Sequence, residues 1–168
     1  ALAPKARAFG MKVVCSDPYL KPDAARAAGV DLVDFPALLA QSDVISIHCP
    51  LTDETRGLFN AVAFAQMKPS AVLVNTARGP IVDQPALTEA LREGRLYAAG
   101  LDVFEVEPVS QQDPLLELPN VVALPHIGSA DETTRNAMAR MAAEAILDVS
   151  AGRLPAHLVN YDVWDHRR

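Results

Sequence analysis

The chain has 168 residues, of which half are apolar, and its formal net charge is −6. This length suffices for one domain with a sizeable core but not comfortably for two. The acidic balance excludes a typical nucleic-acid binder, because clustered Lys and Arg are confined to Arg167 and Arg168. No apolar run approaches the roughly 18 residues of a membrane helix, and no signal peptide is recognisable. We therefore expect a soluble, cytoplasmic protein with no nucleic-acid or membrane partner.

Strand-like and helix-like segments alternate along the chain, which predicts an α/β fold with a parallel sheet. The first half of the pattern predicts a helix over 1–9, a strand over 12–16, a helix over 22–28, a strand over 31–33, a helix over 36–41 and a strand over 43–48. The second half predicts a helix over 61–67, strands over 71–75, 96–104 and 121–124, a helix over 85–93 and a long amphipathic helix over 131–151.

One motif of dinucleotide-binding folds is absent from the sequence. Such folds open with a strand and a GxGxxG turn, and neither precedes the first predicted helix. Either the chain is not a dinucleotide-binding domain or it begins after that turn, and the second interpretation is favoured. The fold prediction is a doubly wound parallel sheet, N-terminally truncated, with the first strand and the GxGxxG turn missing.

Candidate cofactor contacts follow the early strands. Asp17, after the second strand of such a domain, can accept hydrogen bonds from an adenosine ribose and would repel a 2′-phosphate, which favours NAD over NADP. Lys21 lies close enough to leave NADP open, and Asp17 is also compatible with a simple turn at Pro18. Cys49 and Pro50 would form a thin wall against an adenine, with Thr55 a little further on, whereas His48 is interpreted as a hydrogen-bonded side chain at a strand end.

An arginine, carboxylates and a histidine follow three later strands in turn. Arg78 lies in a glycine-containing turn and offers a planar fork that matches a carboxylate. Asp102 could accept from a nicotinamide carboxamide, while Glu107 before Pro108 reaches toward an imidazole. Glu105, the competitor for that role, is interpreted as a surface carboxylate without one. His126 lies on a short loop, where a carboxylate partner would fix its tautomer. Parallel strands would bring these groups to one sheet edge, where 2-oxo acid chemistry needs all three types.

The cysteines and histidines do not predict a metal site. Cys15 and Cys49 form no CxxC pair and are expected to be reduced thiols. The four histidines show no HxxxH-type spacing. We therefore expect no bound metal.

Six ordered motifs together resemble the D-isomer-specific 2-hydroxyacid dehydrogenase family, from the first residues to about Asn160. They are Phe9-Gly-Met-Lys-Val13, Ser16-Asp-Pro-Tyr19, His48-Cys-Pro-Leu-Thr52, Asn75-Thr-Ala-Arg-Gly79, Leu101-Asp-Val-Phe104 with Glu107-Pro108, and Pro125-His-Ile-Gly-Ser129. The last motif is similar to that of glyoxylate/hydroxypyruvate reductases and phosphoglycerate dehydrogenases. The resemblance implies a Rossmann-like fold, NAD as cofactor and a small 2-oxo or 2-hydroxy acid as substrate.

The resemblance also implies roles for individual residues. Arg78 would grip the substrate carboxylate, His126 would carry the proton and Glu107 would pair with His126. The implied cofactor contacts are Asp17, Cys49, Pro50, Thr55, Thr76, Ala77, Arg78, Asp102, His126 and Gly128.

The resemblance further implies a partial NAD-binding domain over 1–156, a tail over 157–168 that leads toward an absent substrate-binding domain, and a homodimer. On this interpretation the chain is a fragment that is inactive by itself. Two alternatives stay open: a corepressor-like module that binds NAD(H) with little turnover, and a folded remnant without activity.

Overall fold

The computed structural model describes residues 2–166. Ala1, where the first helix is predicted to begin, and Arg167 and Arg168, the predicted basic cluster, lie outside the described residues. The helices are α1 (Leu2–Ala8), α2 (Pro22–Ala28), α3 (Phe35–Gln41), α4 (Ala61–Gln66), α5 (Gln84–Arg92) and α6 (Glu132–Ser150). The strands are β1 (Val14–Cys15), β2 (Asp31–Leu32), β3 (Val44–Ile47), β4 (Val72–Asn75), β5 (Ala98–Leu101) and β6 (Val121–Ala123).

All the strand ladders are parallel. Strands β3, β4, β5 and β6 form a four-stranded sheet in chain order, and β1 pairs with β2 in a separate two-stranded sheet. Parallel neighbours joined by helices are the signature of an α/β fold, so the predicted fold class is confirmed. Within residues 2–166 no ladder joins β1 to β3.

The four-stranded sheet buries one face against helices. Ile45, Leu73 and Leu101 alternate with less buried residues along their strands and join the core with Phe64 of α4 and Leu87 of α5. The opposite face, which includes Val74 and Gly100, lines a shallow apolar groove of about 590 Å³. The packed face is what holds the strand ends, and hence the loops that follow them, in register.

Side-chain caps set the helix starts, which shifts two predicted boundaries by one residue. The Asp34 carboxylate accepts from the Ala37 N–H at 2.8 Å, so α3 begins at Phe35 instead of 36. Asp83 accepts from the Ala86 N–H at 3.0 Å, so α5 begins at Gln84 instead of 85. In both helices a proline occupies an early position, where a missing N–H costs nothing.

The strand predicted over 96–104 is shorter in the structure. Its ladder ends at Leu101, and Asp102, Val103 and Phe104 remain buried without continuing it. The apolar run is therefore a strand followed by a buried turn, because β4 ends at Asn75, the ladder partner of Leu101. The segment between β3 and α4 also contains a buried residue, Phe59, which forms a bridge to Val82.

The chain divides into two compact units, residues 1–126 and 127–168. In the second unit α6 begins after Asp131, whose side chain accepts from the Thr134 N–H at 2.8 Å. The apolar side predicted for this helix is present in sequence, but Met138 and Met141 are exposed and α6 has no buried residue. The predicted boundary between 1–156 and 157–168 stays a prediction. No helix within residues 2–166 is both long and apolar enough to span a membrane.

Candidate active site

A turn at the carboxyl end of β4 presents Arg78. The buried Asn75 side chain holds this turn, because its Oδ1 accepts from the Ala77 N–H and its Nδ2 donates to the Arg78 carbonyl, both at 3.0 Å. The Arg78 Nη1 donates to the Ala77 carbonyl at 2.6 Å, and its side chain reaches solvent. The Asn75 side chain thus takes the place of a backbone group in the turn and fixes the backbone of Arg78, whose guanidinium is exposed.

Gly79 brings the Arg78 turn against the loop that follows β5. A Cβ placed on Gly79 would lie only 1.7 Å from the Phe104 carbonyl oxygen and 2.6 Å from the Glu105 nitrogen. Only glycine permits this approach of two backbones. The close contact places the residues after β4 beside those after β5.

Glu107 bridges this second loop to His126. Its Oε2 lies 2.7 Å from the His126 Nδ1, and its Oε1 accepts from the Phe104 N–H at 3.0 Å. The predicted pairing of Glu107 with His126 is therefore present. The side chain of Glu105 is not the partner of His126, and its backbone N–H donates to Gln84 instead.

The surroundings of Glu107 favour its charged form. The hydrogen bond from His126 is the main cause that lowers the Glu107 pKa from its ordinary value, followed by the Phe104 N–H. The positive charge of Arg78 acts in the same direction and is the smallest of these causes. Glu107 and His126 therefore form a hydrogen-bonded pair at this sheet edge, while Arg78 follows β4, the strand that pairs with β5.

His126 has an unusual backbone conformation. Its φ is 55°, and it is the only non-glycine residue with positive φ within residues 2–166. The left-handed region costs an ordinary L-residue about 1 kcal/mol or more, and such strain concentrates at functional sites. The imidazole itself is about half exposed, so one ring nitrogen binds Glu107 and the ring remains open to solvent.

The predicted cofactor residues of the first strands lie at the carboxyl ends of β1 and β3. Asp17 is exposed, and its Oδ1 accepts from the Tyr19 N–H at 2.8 Å, so Asp17 does begin a turn at Pro18. Its contact with a ribose stays a prediction. Burial and the negative charge of Asp17 raise the pKa of both free thiols, Cys15 and Cys49. The charge of Asp17 thus acts on the thiols at the ends of both β1 and β3.

The loop after β3 is held by local hydrogen bonds. The Thr55 hydroxyl donates to the Pro50 carbonyl at 2.7 Å and accepts from the Thr52 N–H at 2.8 Å. His48 Nε2 lies 2.9 Å from the Ser46 hydroxyl, which confirms the interpretation of His48 as a hydrogen-bonded side chain at a strand end. Pro50 therefore stands exposed on a loop of fixed shape.

The remaining predicted contacts differ in exposure. Thr76 is exposed, Ala77 is partly buried and Asp102 is 3% exposed at the end of β5. Gly128 lies in the second unit and is exposed there. Their roles toward a cofactor stay predictions. Within the described part of the chain no group of three or more metal-binding side chains is assembled.

The family model described as "D-isomer specific 2-hydroxyacid dehydrogenase, NAD binding domain" matches residues 1–128, a range that includes every predicted site residue. The chain belongs to this family. The predicted resemblance and the predicted cofactor, NAD, are thereby confirmed at the level of the family's NAD-binding domain.

Individual members of the dehydrogenase family are similar over nearly the whole chain. Glyoxylate reductase of Korarchaeum cryptofilum is 45% identical over 97% of this chain and 49% of its own length. Glyoxylate/hydroxypyruvate reductase B of Shigella boydii is 45% identical over 98% of this chain and 51% of its own. The crystal structure of TT0316 protein from Thermus thermophilus matches with a TM-score of 0.88 and 46% identity, over 95% of this chain and 49% of that chain. The chain thus spans about half the length of the curated relatives it matches.

Sequence reasoning assigned no role to three residues that shape the site: Asn75, Gly79 and Gln84. An Asn at a strand end before a glycine-containing turn is a usable signal, because Asn side chains often imitate a turn. Gly79 and Gln84 act on residues more than 20 positions away, since Glu105 is 26 and 21 residues from them, respectively. No local pattern could have indicated those contacts.

Proposed function

We propose that this chain carries the cofactor-binding and proton-transfer half of an NAD-dependent oxidoreductase that interconverts a 2-oxo acid and its D-2-hydroxy acid. The observation that carries the proposal is the His126 Nδ1 to Glu107 Oε2 contact of 2.7 Å. Glyoxylate and hydroxypyruvate are the first substrates to test, because the similar reductases are named for them.

The residues at the carboxyl ends of the strands fit a dinucleotide of the NAD type. Asp17 offers an exposed carboxylate after β1, which suits ribose hydroxyls and disfavours a 2′-phosphate. Pro50 and Thr55 offer a rigid wall after β3, and Thr76 with Ala77 flank the Asn75-held turn after β4. When bound, the nicotinamide supplies or accepts the hydride.

The protein's own groups would then handle charge and proton. The Nδ1–H of His126 donates to Glu107, which leaves Nε2 to exchange a proton with the substrate oxygen. Glu107 in its charged form stabilises the imidazolium that results. Arg78 would bind the substrate carboxylate through two parallel hydrogen bonds and hold the reacting carbon in place.

In the described part of the chain, the two sheets are not joined by a ladder between β1 and β3, which leaves room for one further strand between them. In the order 3-2-1-4-5-6 the first strand lies between the strands that correspond to β1 and β3. We therefore propose that the chain works as part of a longer protein, in which a preceding strand and GxGxxG turn supply the phosphate-binding part. Inactivity of the isolated chain, a homodimer and a cytoplasmic location remain parts of this proposal.

Turnover by the longer protein tests the reaction. NADH oxidation, followed by absorbance with glyoxylate, hydroxypyruvate and pyruvate, is expected with at least one of them. His126→Ala should lower turnover by roughly 100-fold or more while NADH still binds, the usual scale for a general acid. His157→Ala, which removes an exposed histidine of the second unit, is the matched control and should retain turnover.

Other outcomes identify the alternatives. Tight NADH binding with no turnover across the three acids would favour a corepressor-like module. Near-normal turnover in His126→Ala would show that His126 is not the proton carrier. Nicotinamide fluorescence with the 168-residue chain measures cofactor binding separately, and a folded remnant without activity would show no NADH binding by these 168 residues.

A further inference from the structure

The loop that carries Glu107 is tied to α5 by one side chain, Gln84. The Gln84 Oε1 accepts from the Glu105 N–H at 3.0 Å, and its Nε2 donates to the Asp113 Oδ2 at 2.7 Å. The oxygen of the Gln84 amide therefore binds one end of the loop, at Glu105, and the nitrogen binds the other end, at Asp113. Neither contact is local, since the partners are 21 and 29 residues from Gln84.

Both ends of this connection are anchored in the core. Gln84 begins α5, whose Leu87 and Leu91 are 1% and 3% exposed. The second oxygen of Asp113 accepts from the Leu115 N–H at 2.9 Å, and Leu115 is fully buried. Gln84 thus fixes the loop between Glu105 and Asp113, which is otherwise mostly exposed, to the packed helix α5.

The geometry of Glu107 depends on the backbone that Gln84 holds. Glu107 binds His126 with one oxygen and the Phe104 N–H with the other, and Glu105 lies between Phe104 and Glu107 in the chain. A shift of the Glu105 amide would therefore change the spacing between the Phe104 N–H and the Glu107 carboxylate. The imidazole of His126 would then lose the acceptor that orients it.

The amide group is specifically suited to this position. A carboxylate there could accept from the Glu105 N–H but would face the Asp113 carboxylate without a proton to donate. A leucine would have the right size but could satisfy neither partner, leaving the Oδ2 of the part-buried Asp113 carboxylate without the donor that Gln84 supplies. Glutamine alone among residues of this length supplies one acceptor and two donors without charge.

We propose that Gln84 is a positioning residue that sets the Glu107–His126 pair by fixing both ends of the loop between Glu105 and Asp113. The catalytic meaning of this role rests on the proposed function, whereas the positioning itself does not.

The positioning is tested in the 168-residue chain by NMR, without any need for turnover. Long-range ¹⁵N spectra of the imidazole report which nitrogen of His126 carries the proton, and ¹³C spectra of the carboxyl group follow the titration of Glu107. Gln84→Ala should reduce the population of the Nδ1–H form and raise the Glu107 pKa toward its ordinary value. Gln66→Ala, which removes an exposed glutamine bonded only within α4, is the matched control and should change neither.

A paired substitution separates positioning from general damage to the fold. Gln84→Glu alone should perturb both signals, because two carboxylates then face each other. Adding Asp113→Asn should restore them, since the asparagine amide can donate to the new carboxylate while its oxygen still caps Leu115. Comparison of Gln84→Glu with the double variant also tests the positioning role of Gln84 if Gln84→Ala does not fold.

In the longer protein, Gln84→Ala should lower kcat by roughly 10-fold or more with little change in the KM for NADH, as expected for a misplaced catalytic group. Normal His126 and Glu107 signals in a folded Gln84→Ala chain would overturn the proposal, as would a folded double variant without rescue. If the NMR changes occur but neither wild type nor variant turns over any 2-oxo acid, the positioning holds and the proposed function fails.

Discussion

Replacing Gly79 with alanine is expected to destabilise the chain through a clash between two backbone segments. The added Cβ would lie 1.7 Å from the Phe104 carbonyl oxygen and 1.9 Å from its carbon. A carbon and a carbonyl oxygen in close contact lie about 3.3–3.6 Å apart, so the Arg78 turn and the Phe104 loop must separate by roughly 1.6–1.9 Å. Neither obstructing atom belongs to a side chain that could rotate away.

The cost follows from what overpacking does in well-packed regions. Inserted methyl groups cost about 1–3 kcal/mol, and contact with fixed backbone places Gly79→Ala near the upper end. A gain of about 0.4–1 kcal/mol from the less flexible unfolded chain offsets part of this. The expected net loss is about 2.5 kcal/mol, which lowers Tm by about 5–10 °C for a chain of this size.

Urea unfolding followed by circular dichroism measures this loss. Gly100→Ala is the matched control, because its Cβ would meet only Val74 Cγ2 at an ordinary 3.9 Å, and it should change stability by less than about 0.5 kcal/mol. Equal stability of the two alanine variants would refute the argument from backbone contact.

Three further predictions follow from the same structure. Phe64→Ala, at a side chain that is 1% exposed, should cost about 3–5 kcal/mol in urea unfolding, whereas Val62→Ala on the exposed side of the same helix should cost less than about 0.5 kcal/mol; comparable losses would contradict the assigned core. Because the folded-state pKa of Glu107 is lowered, the stability that Glu107 contributes is present above about pH 4.5 and is lost as pH falls through the lowered value. The Glu107 side chain is 37% exposed, so solvent screening keeps this contribution to the free energy of unfolding below about 1 kcal/mol. The difference in unfolding free energy between wild type and Glu107→Gln should therefore shrink in acid. A difference that stays constant down to about pH 3 would contradict this prediction. His126→Gly should be about 1 kcal/mol more stable to urea than His126→Ala, since both lack the imidazole and only glycine tolerates a φ of 55° freely; equal stability would remove the evidence for strain.

Much of the site could be predicted because parallel strands convert sequence order into spatial order. Arg78 follows β4, Glu107 follows β5 and His126 follows β6, and these strands are neighbours in the sheet. Since parallel strands end at one edge, the predicted pairing of Glu107 with His126 required only the correct strand assignment, whereas the place of Arg78 beside them stays a prediction. The apolar runs made that assignment readable, as buried strands of parallel sheets usually do.

The exact ends of helices and strands could not be predicted from the sequence. The true starts of α3 and α5 depend on the capping aspartates, whose geometry follows from φ and ψ at a single residue. The strand predicted over 96–104 stops at Leu101 because its partner β4 ends, which the apolar run itself does not reveal.

The sequence by itself determined the fold class, the family and the types of side chain that meet at the sheet edge, because hydrophobic periodicity and ordered motifs are properties of the chain alone. Only the tertiary structure decided how Glu107, which the sequence already favoured over Glu105, is held against His126. The two carboxylates stand two residues apart, and what separates them is a turn in which the Phe104 N–H binds Glu107 while Gln84 holds the Glu105 amide. That turn exists because residues distant in sequence, Gly79 and Gln84, pack against it.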